Sequence, residues 1–297
     1  MMNNFDLRLR MRRVIKPNFQ VLLVIALIVS LPGLLVSVVT VLTGSDLATY
    51  LASSLDTSVT AEQLMETINA HLAERGWITW LATLLQGLIT PVLSMGLITA
   101  FLSLLRGGTA TVSTVFSRLH AFGRSVLLTL IIFVKLFLWA LPGAAVMTLA
   151  ACLLLLTRSF TVYSLLTMAS LVLMVALVVM ASYRYIMALF FLADEPGTGA
   201  LACVRKSKAV MKNRKLQLFS LELPYIAGNW LAASFISLLL DGVIGTTLSL
   251  VIQLIFAVYI YGARCVFFEA YSRPGGGRAH AFQSDPYHDD EMKDTLN

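Results

Sequence analysis

Charge is scarce in these 297 residues: Asp, Glu, Lys and Arg make up 13% of the chain and hydrophobic residues 58%, against about 25% and roughly 45–50% in soluble domains. That balance excludes an ordinary water-solvated globule. Cysteine is scarcer still, and Cys152, Cys203 and Cys265 fall in or beside apolar stretches without C-x-x-C spacing, which excludes a disulfide framework and a thiolate zinc site. His71, His120, His280 and His288 all lie outside the long apolar runs, so intramembrane metalloprotease and haem-ligand arrangements are excluded as well. Period-two alternation is missing, which argues against a transmembrane barrel. Neither G-x-S-x-G, H-E-x-x-H nor a phosphate-binding G-x-x-x-x-G-K-[ST] occurs, so no enzyme activity, metal or cofactor is expected.

What the chain has instead is long apolar runs. A helix needs about 20 residues to cross a hydrocarbon layer of roughly 30 Å. Six segments qualify, at 19–42, 77–105, 126–156, 162–192, 216–240 and 247–268. The expected fold is an all-α membrane protein with six transmembrane helices in one domain, 19–272. A basic amphipathic segment, 1–18, precedes it, and a tail, 273–297, follows that reads as disordered and solvated. The first run follows a long charged lead-in and exceeds the about 7–15 residues of a signal-peptide core, so it reads as a retained span.

Orientation follows from lysine and arginine beside the spans. With the N-terminus inside, 17 of the 22 fall on the cytoplasmic side and only Arg75 and Arg158 on the outer side. Both termini are therefore expected in the cytoplasm. The first outer loop, 44–76, is long and acidic and is expected to fold back as a helix around 61–74. The other two outer turns are short enough to require tight antiparallel hairpins.

A basic, amphipathic stretch precedes each hairpin, at 5–16, 111–124 and 198–215. In the third, Ala200, Val204, Ser207, Val210 and Met211 share one helical face. Such helices are expected to lie in the cytoplasmic membrane interface, giving three repeated units of interfacial helix plus hairpin. Their cations, Arg12, Arg13, Arg118, Arg124, Arg205, Lys208, Lys212, Arg214 and Lys215, are candidate contacts for anionic lipid headgroups. Little aromatic interleaving accompanies them, so membrane lipid or a membrane-protein partner is expected rather than nucleic acid.

Ionisable side chains inside a bilayer cost about 2.5–3.5 kcal/mol each on insertion scales. Lys135, Arg184, Glu222 and Arg264 nevertheless lie in apolar runs, all toward their cytoplasmic ends. Glu222, Tyr225 and Asn229 fall on one face of the fifth helix. A polar cluster of Lys135, Arg184, Glu222, Asn229 and Arg264 is expected, with Glu222 neutralising Arg184 or Lys135 beside a cavity open to the cytoplasm. Snorkelling and structural pairing are the simpler fates of such charges. Pro32, Pro91, Pro142 and Pro224 are candidate helix hinges. Asp194-Glu195, the one paired carboxylate, suits a turn before the third basic helix.

One stretch resembles a known family. Y-R-Y-I-M-A-L-F-F-L-A-D-E-P (183–196), K-S-K-A-V-M-K (206–212) and L-F-S-L-E-L (218–223) resemble the bacterial membrane family catalogued as domain of unknown function 975. G-L-I-T-A-F-L-S-L-L-R-G-G (96–108) and F-F-E-A-Y (267–271) extend the likeness over about 96–271. In that family a Pro-Gly pair sits shortly before the aromatic helix end, whereas Pro142-Gly143 precedes Tyr185 by more than forty residues; either the hairpin is lengthened or Pro142 is not the equivalent residue. The resemblance implies a bacterial plasma-membrane protein of this topology and supplies no catalytic residue. The expected function is that of a non-enzymatic accessory or scaffold protein, with a small-solute or lipid transporter as the alternative.

Overall fold

A computed structural model describes residues 3–42, 61–157, 160–240 and 242–272. The predicted disordered tail and most of the outer loop before residue 61 lie outside the described residues. Helix α1 spans Asn4–Leu42 and α2 spans Ala61–Leu105. A 3-10 helix, Val112–Ala121, leads into α3, Phe122–Thr157, which pairs with α4, Phe160–Tyr185. Short α5, Ala188–Asp194, and α6, Ala200–Val210, precede α7, Lys215–Leu239, and α8, Gly242–Ser272. The described residues are all-α.

Five stretches are long and apolar enough to cross a membrane: Asn4–Thr40, Trp77–Leu105, Val112–Ala150, Ser164–Asp194 and Thr247–Ser272. The expected fifth span is helical as α7, but Glu222, Pro224 and Asn229 dilute its apolar content, and it is not among the five.

The three repeated units do not emerge. Residues 5–16 form no separate interfacial helix, because α1 continues through Pro17 without a break. Leu7, Met11 and Ile15 are fully buried with Phe101 and Phe267 in the main core, so protein rather than lipid takes that apolar face. Asn4 and Arg8 tie the same stretch to α7, Arg8 donating to the Ser220 carbonyl at 3.0 Å and Asn4 to Ser220 Oγ at 3.3 Å. The expected fold-back over 61–74 is also replaced by continuity: α2 runs unbroken from Ala61, about twice the length a hydrocarbon layer requires.

The core is concentrated at the basic end of the bundle, where α1, α2, α7 and α8 meet. Hairpin α3–α4 packs chiefly on itself and leaves Leu130, Phe133, Phe137, Leu165, Met168 and Val172 exposed, as suits a surface solvated by lipid. None of the four prolines proposed as hinges interrupts its helix. The interruption falls at Ile186–Met187, between α4 and α5. There the Arg184 carbonyl accepts the Ser207 hydroxyl of α6 at 3.0 Å, which satisfies a backbone group at the helix end.

Two glycines build the connection after α2. Gly107 adopts φ +80°, and the Gly108 amide donates to the Ser103 carbonyl at 2.9 Å, a Schellman closure that favours glycine at the left-handed position. The chain then returns as the 3-10 helix, pressed onto α2 where a Cβ at Gly96 would overlap the Val115 backbone. With a period of three, Val115, Arg118 and Ala121 face inward; Val115 and Ala121 are buried, and Arg118 Nε donates to Thr99 Oγ1 at 3.3 Å. Phe116, Leu119 and Phe122 form the opposite row, 49%, 47% and 45% exposed.

Gly96→Ala is expected to destabilise the protein by about 1–3 kcal/mol through overpacking. Gly87→Ala, where an added Cβ meets nothing within 4 Å, should be neutral or slightly stabilising. Thermal unfolding of the two variants in detergent compares them directly; equal midpoints would discount the Gly96 contact.

Candidate functional site

Glu222 is completely buried in the first two turns of α7. Its partner is Arg264 of α8: Nε donates to Oε1 at 2.8 Å and Nη2 to Oε2 at 3.2 Å. The Tyr183 hydroxyl of α4 donates to Oε2 at 3.0 Å, and its ring meets Phe219 edge-on at 5.8 Å. Arg264 also lies 5.8 Å from the centroid of the Tyr261 ring, whose hydroxyl is 3.3 Å from Ser94 of α2. One polar layer thus joins α2, α4, α7 and α8.

The expected pairing of Glu222 with Arg184 or Lys135 gives way to this arrangement for a geometric reason. Neighbouring residues on a helix point roughly 100° apart, so with Tyr183 turned toward α7, Arg184 turns toward α6 and joins Arg205 and Lys208 around a cleft. Lys135 belongs to α3, which does not pack substantially against α7. Asn229 stands on a separate cavity between α1, α2, α7 and α8. Of the five residues expected in one cluster, only Glu222 and Arg264 touch. Tyr183 was not anticipated, since a tyrosine in an aromatic-rich helix end carries no distinguishing pattern.

A second ionic node ties the basic end together. Arg106, just after α2, reaches Asp194 of α5 at 2.6 Å and Glu269 of α8 at 2.9 Å. The Asp194 hydrogen bond, reinforced by Glu269, raises the arginine pKa against the cost of burial, so this cation stays charged. Glu195 pairs with Lys206 at 2.6 Å and accepts the Thr198 hydroxyl at 2.9 Å. Lys206, then Thr198, hold its carboxyl below the ordinary 4.5. The pair therefore contributes fully above that value and fades as pH falls through the depressed one, a small effect because both groups are solvent-exposed. Asp194-Glu195 does serve a turn, and each acid also has a cationic partner.

Helix α6 lies across this end with Ala200, Cys203, Val204 and Ser207 buried. Its apolar face covers α3, α4 and α5 instead of dipping into lipid, and burial pushes the Cys203 thiol up. The basic residues divide accordingly. Arg118 is spent on Thr99, Arg124 on the Pro196 carbonyl, and Arg214 stacks 4.5 Å from the centroid of the Tyr271 ring. Arg12 lines a cleft with Lys16, Tyr225 and Tyr259, and Arg13 is exposed on the same helix. Arg184, Arg205, Lys208, Lys212 and Lys215 surround one cleft of about 810 Å³, and no acid lines it among the described residues.

Glu222→Ala is expected to cost about 3–5 kcal/mol, because the Arg264 guanidinium is left without its counter-charge inside the bundle. Replacing both, as Glu222→Leu with Arg264→Met, should recover most of that loss. A double-mutant cycle on chemical or thermal unfolding measures the coupling, and a coupling near zero would rule out the pair as the organising contact.

No curated protein and no solved structure matches this chain. One family model does, described as a protein of unknown function, DUF975, and it matches residues 2–273. The match extends the sequence likeness toward the N-terminus, taking in α1 and α2. The chain belongs to the DUF975 family.

Proposed function

We propose that this is a non-enzymatic six-span protein of a bacterial plasma membrane, with its termini and basic end in the cytoplasm, which holds anionic lipid headgroups there as an accessory or scaffold component. The observation that carries this reading is the cleft of Arg184, Arg205, Lys208, Lys212 and Lys215. The acids at the same end, Asp194, Glu195 and Glu269, are already paired with Arg106 and Lys206, so the cleft keeps its positive field. Each lysine or arginine near an anionic leaflet contributes about 1 kcal/mol of attraction.

Three further features agree with that placement. The distribution of 17 cations against 2 supports the orientation. Helix α7, with 25 residues, is about 37 Å long and suffices as the sixth crossing, its one acid neutralised within the bundle. The exposed row of Phe116, Leu119 and Phe122 suits insertion at the headgroup boundary. The cavity beside Asn229 ends at Tyr261 and does not include Glu222 or Arg264, which favours binding over passage through the bundle.

Adding phosphatidylglycerol to the detergent-solubilised protein should raise its unfolding midpoint by about 2–4 °C per kcal/mol of binding, while phosphatidylcholine should not. Soluble glycerol phosphate should fail to substitute. Combining Arg205→Gln, Lys212→Gln and Lys215→Gln should abolish the phosphatidylglycerol shift and leave the lipid-free midpoint unchanged. Equal shifts from both lipids, or a full shift in the triple variant, would overturn the reading.

A further inference from the structure

A smaller cationic cleft, of about 520 Å³, lies between α1, α7 and α8, within the roughly 300–1,000 Å³ range of ligand pockets. Arg12 and Lys16 line it one helical turn apart on α1. Tyr225 of α7 and Tyr259 of α8 add a stacked pair, ring centroids 5.5 Å apart and planes 5° from parallel, and Ile15 and Phe19 complete the lining. No acid lines the cleft among the described residues. Asp6, six residues before Arg12, falls about 120° away around the helix. Glu222, three residues before Tyr225, is committed to Arg264 and Tyr183.

These groups define a ligand by charge, donors and depth. Arg12 lies within hydrogen-bonding reach of the Tyr225 hydroxyl, and Arg8, one turn earlier, adds to the positive field there. Because a guanidinium can only donate, the tyrosine oxygen accepts from it and the phenolic proton is left to donate onward. The cleft therefore offers two cations and three donors, from Arg12, Lys16 and Tyr225. A phosphomonoester matches them with a charge of about −1.5 to −2 near pH 7 and three acceptor oxygens. A phosphodiester has one charge and two free oxygens, which leaves a cation and a donor unmatched. The depth is that of a headgroup: Lys16 stands just before the apolar run 19–42, and tyrosine is favoured at this boundary. Leu27 and Leu31 continue the Lys16 face about three and four turns further along α1, both exposed, as a surface on which an acyl chain can lie.

We propose that this cleft binds the phosphomonoester head of a lipid of the phosphatidic acid class, its phosphate held by Arg12, Lys16 and Tyr225 and its chains lying along α1. The assignment rests on the cytoplasmic placement of the basic end proposed above. It does not rest on the larger cleft, with which it shares no lining residue.

The test uses full-length protein in nanodiscs and phosphatidic acid carrying a diazirine near the ester end of one acyl chain. Illumination should label the peptides that contain Phe19 and Tyr259, and the matching phosphatidylglycerol probe should label them about tenfold less, the scale of one charge-assisted hydrogen bond. Arg12→Gln with Lys16→Gln should lower labelling about thirtyfold, roughly fivefold for each cation, whereas Arg12→Lys with Lys16→Arg should retain it. Tyr225→Phe, which deletes a hydroxyl and keeps the ring stack, gives a separate reading and should lower labelling about tenfold. Combining Arg205→Gln, Lys212→Gln and Lys215→Gln should leave it intact, so failure of the larger cleft is read apart from failure of this one. Soluble glycerol phosphate should not displace the probe. Equal labelling by the phosphatidylglycerol probe, undiminished labelling in the Arg12→Gln, Lys16→Gln variant or in Tyr225→Phe, or displacement by glycerol phosphate would overturn the assignment.

Discussion

A carboxylate wholly removed from water inside a helical bundle must be matched by a cation and by hydrogen bonds, and Glu222 imposes that requirement on this fold. Arg264 supplies the charge with two N–H donors, and Tyr183 supplies a third donor. Meeting the requirement fixes the roll of two helices. With Glu222 turned toward α8, Asn229, seven residues along α7, falls on the same side and reaches the interior cavity. With Arg264 turned toward α7, Tyr261, three residues earlier on α8, is brought against Ser94 of α2. The cavity wall is thus a consequence of where the ion pair sits.

The same constraint separates the molecule into two mechanical regimes. Below the pair, the basic end is tied across elements by Arg106 to Asp194 and Glu269, by Arg124 to the Pro196 carbonyl, and by the core around Met11, Phe101 and Phe267. Above it, most of the side chains on α3 and α4 contact only their hairpin partner or the surrounding medium. The side chains at the basic end are therefore held in a preorganised frame. Beside Asn229, in contrast, the same helices leave a cavity of about 540 Å³ between them.

Much of the fold was legible because an apolar run of sufficient length has few alternatives in a membrane. The positions of the helices follow, and the Ala200–Met211 face was readable from its period. Boundaries drawn from charge were less faithful. The cationic segment 5–16 is simply the start of α1, since lysine and arginine are good helix formers and a change of solvent along a chain does not stop a helix. The break at Ile186–Met187 has neither glycine nor proline to announce it; what allows it is the Ser207 hydroxyl, contributed by a helix twenty residues further on. Helix α7 shows the converse: hydropathy falls because Glu222 and Asn229 are polar, yet Glu222 is hidden inside the bundle.

The candidate site was legible in depth but not in azimuth. Counting residues from the charged ends places Lys135, Arg184, Glu222 and Arg264 at similar heights, and on height alone any of the cations can meet the acid. Rotation decides among them, and rotation is readable only where a helix carries a one-sided pattern. Helix α4 is apolar nearly all round, so nothing in its sequence distinguishes the direction of Tyr183 from that of Arg184. Packing makes the choice: the bundle takes the tyrosine for Glu222, and the adjacent arginine is left to the cationic cleft beside α6. The same rule explains why the nine basic residues nominated for lipid do not form one class. Arg118 falls on the period-three face that meets α2 and is spent there, whereas Lys208 and Lys212, four apart across the end of α6, face a cleft that no acid lines among the described residues.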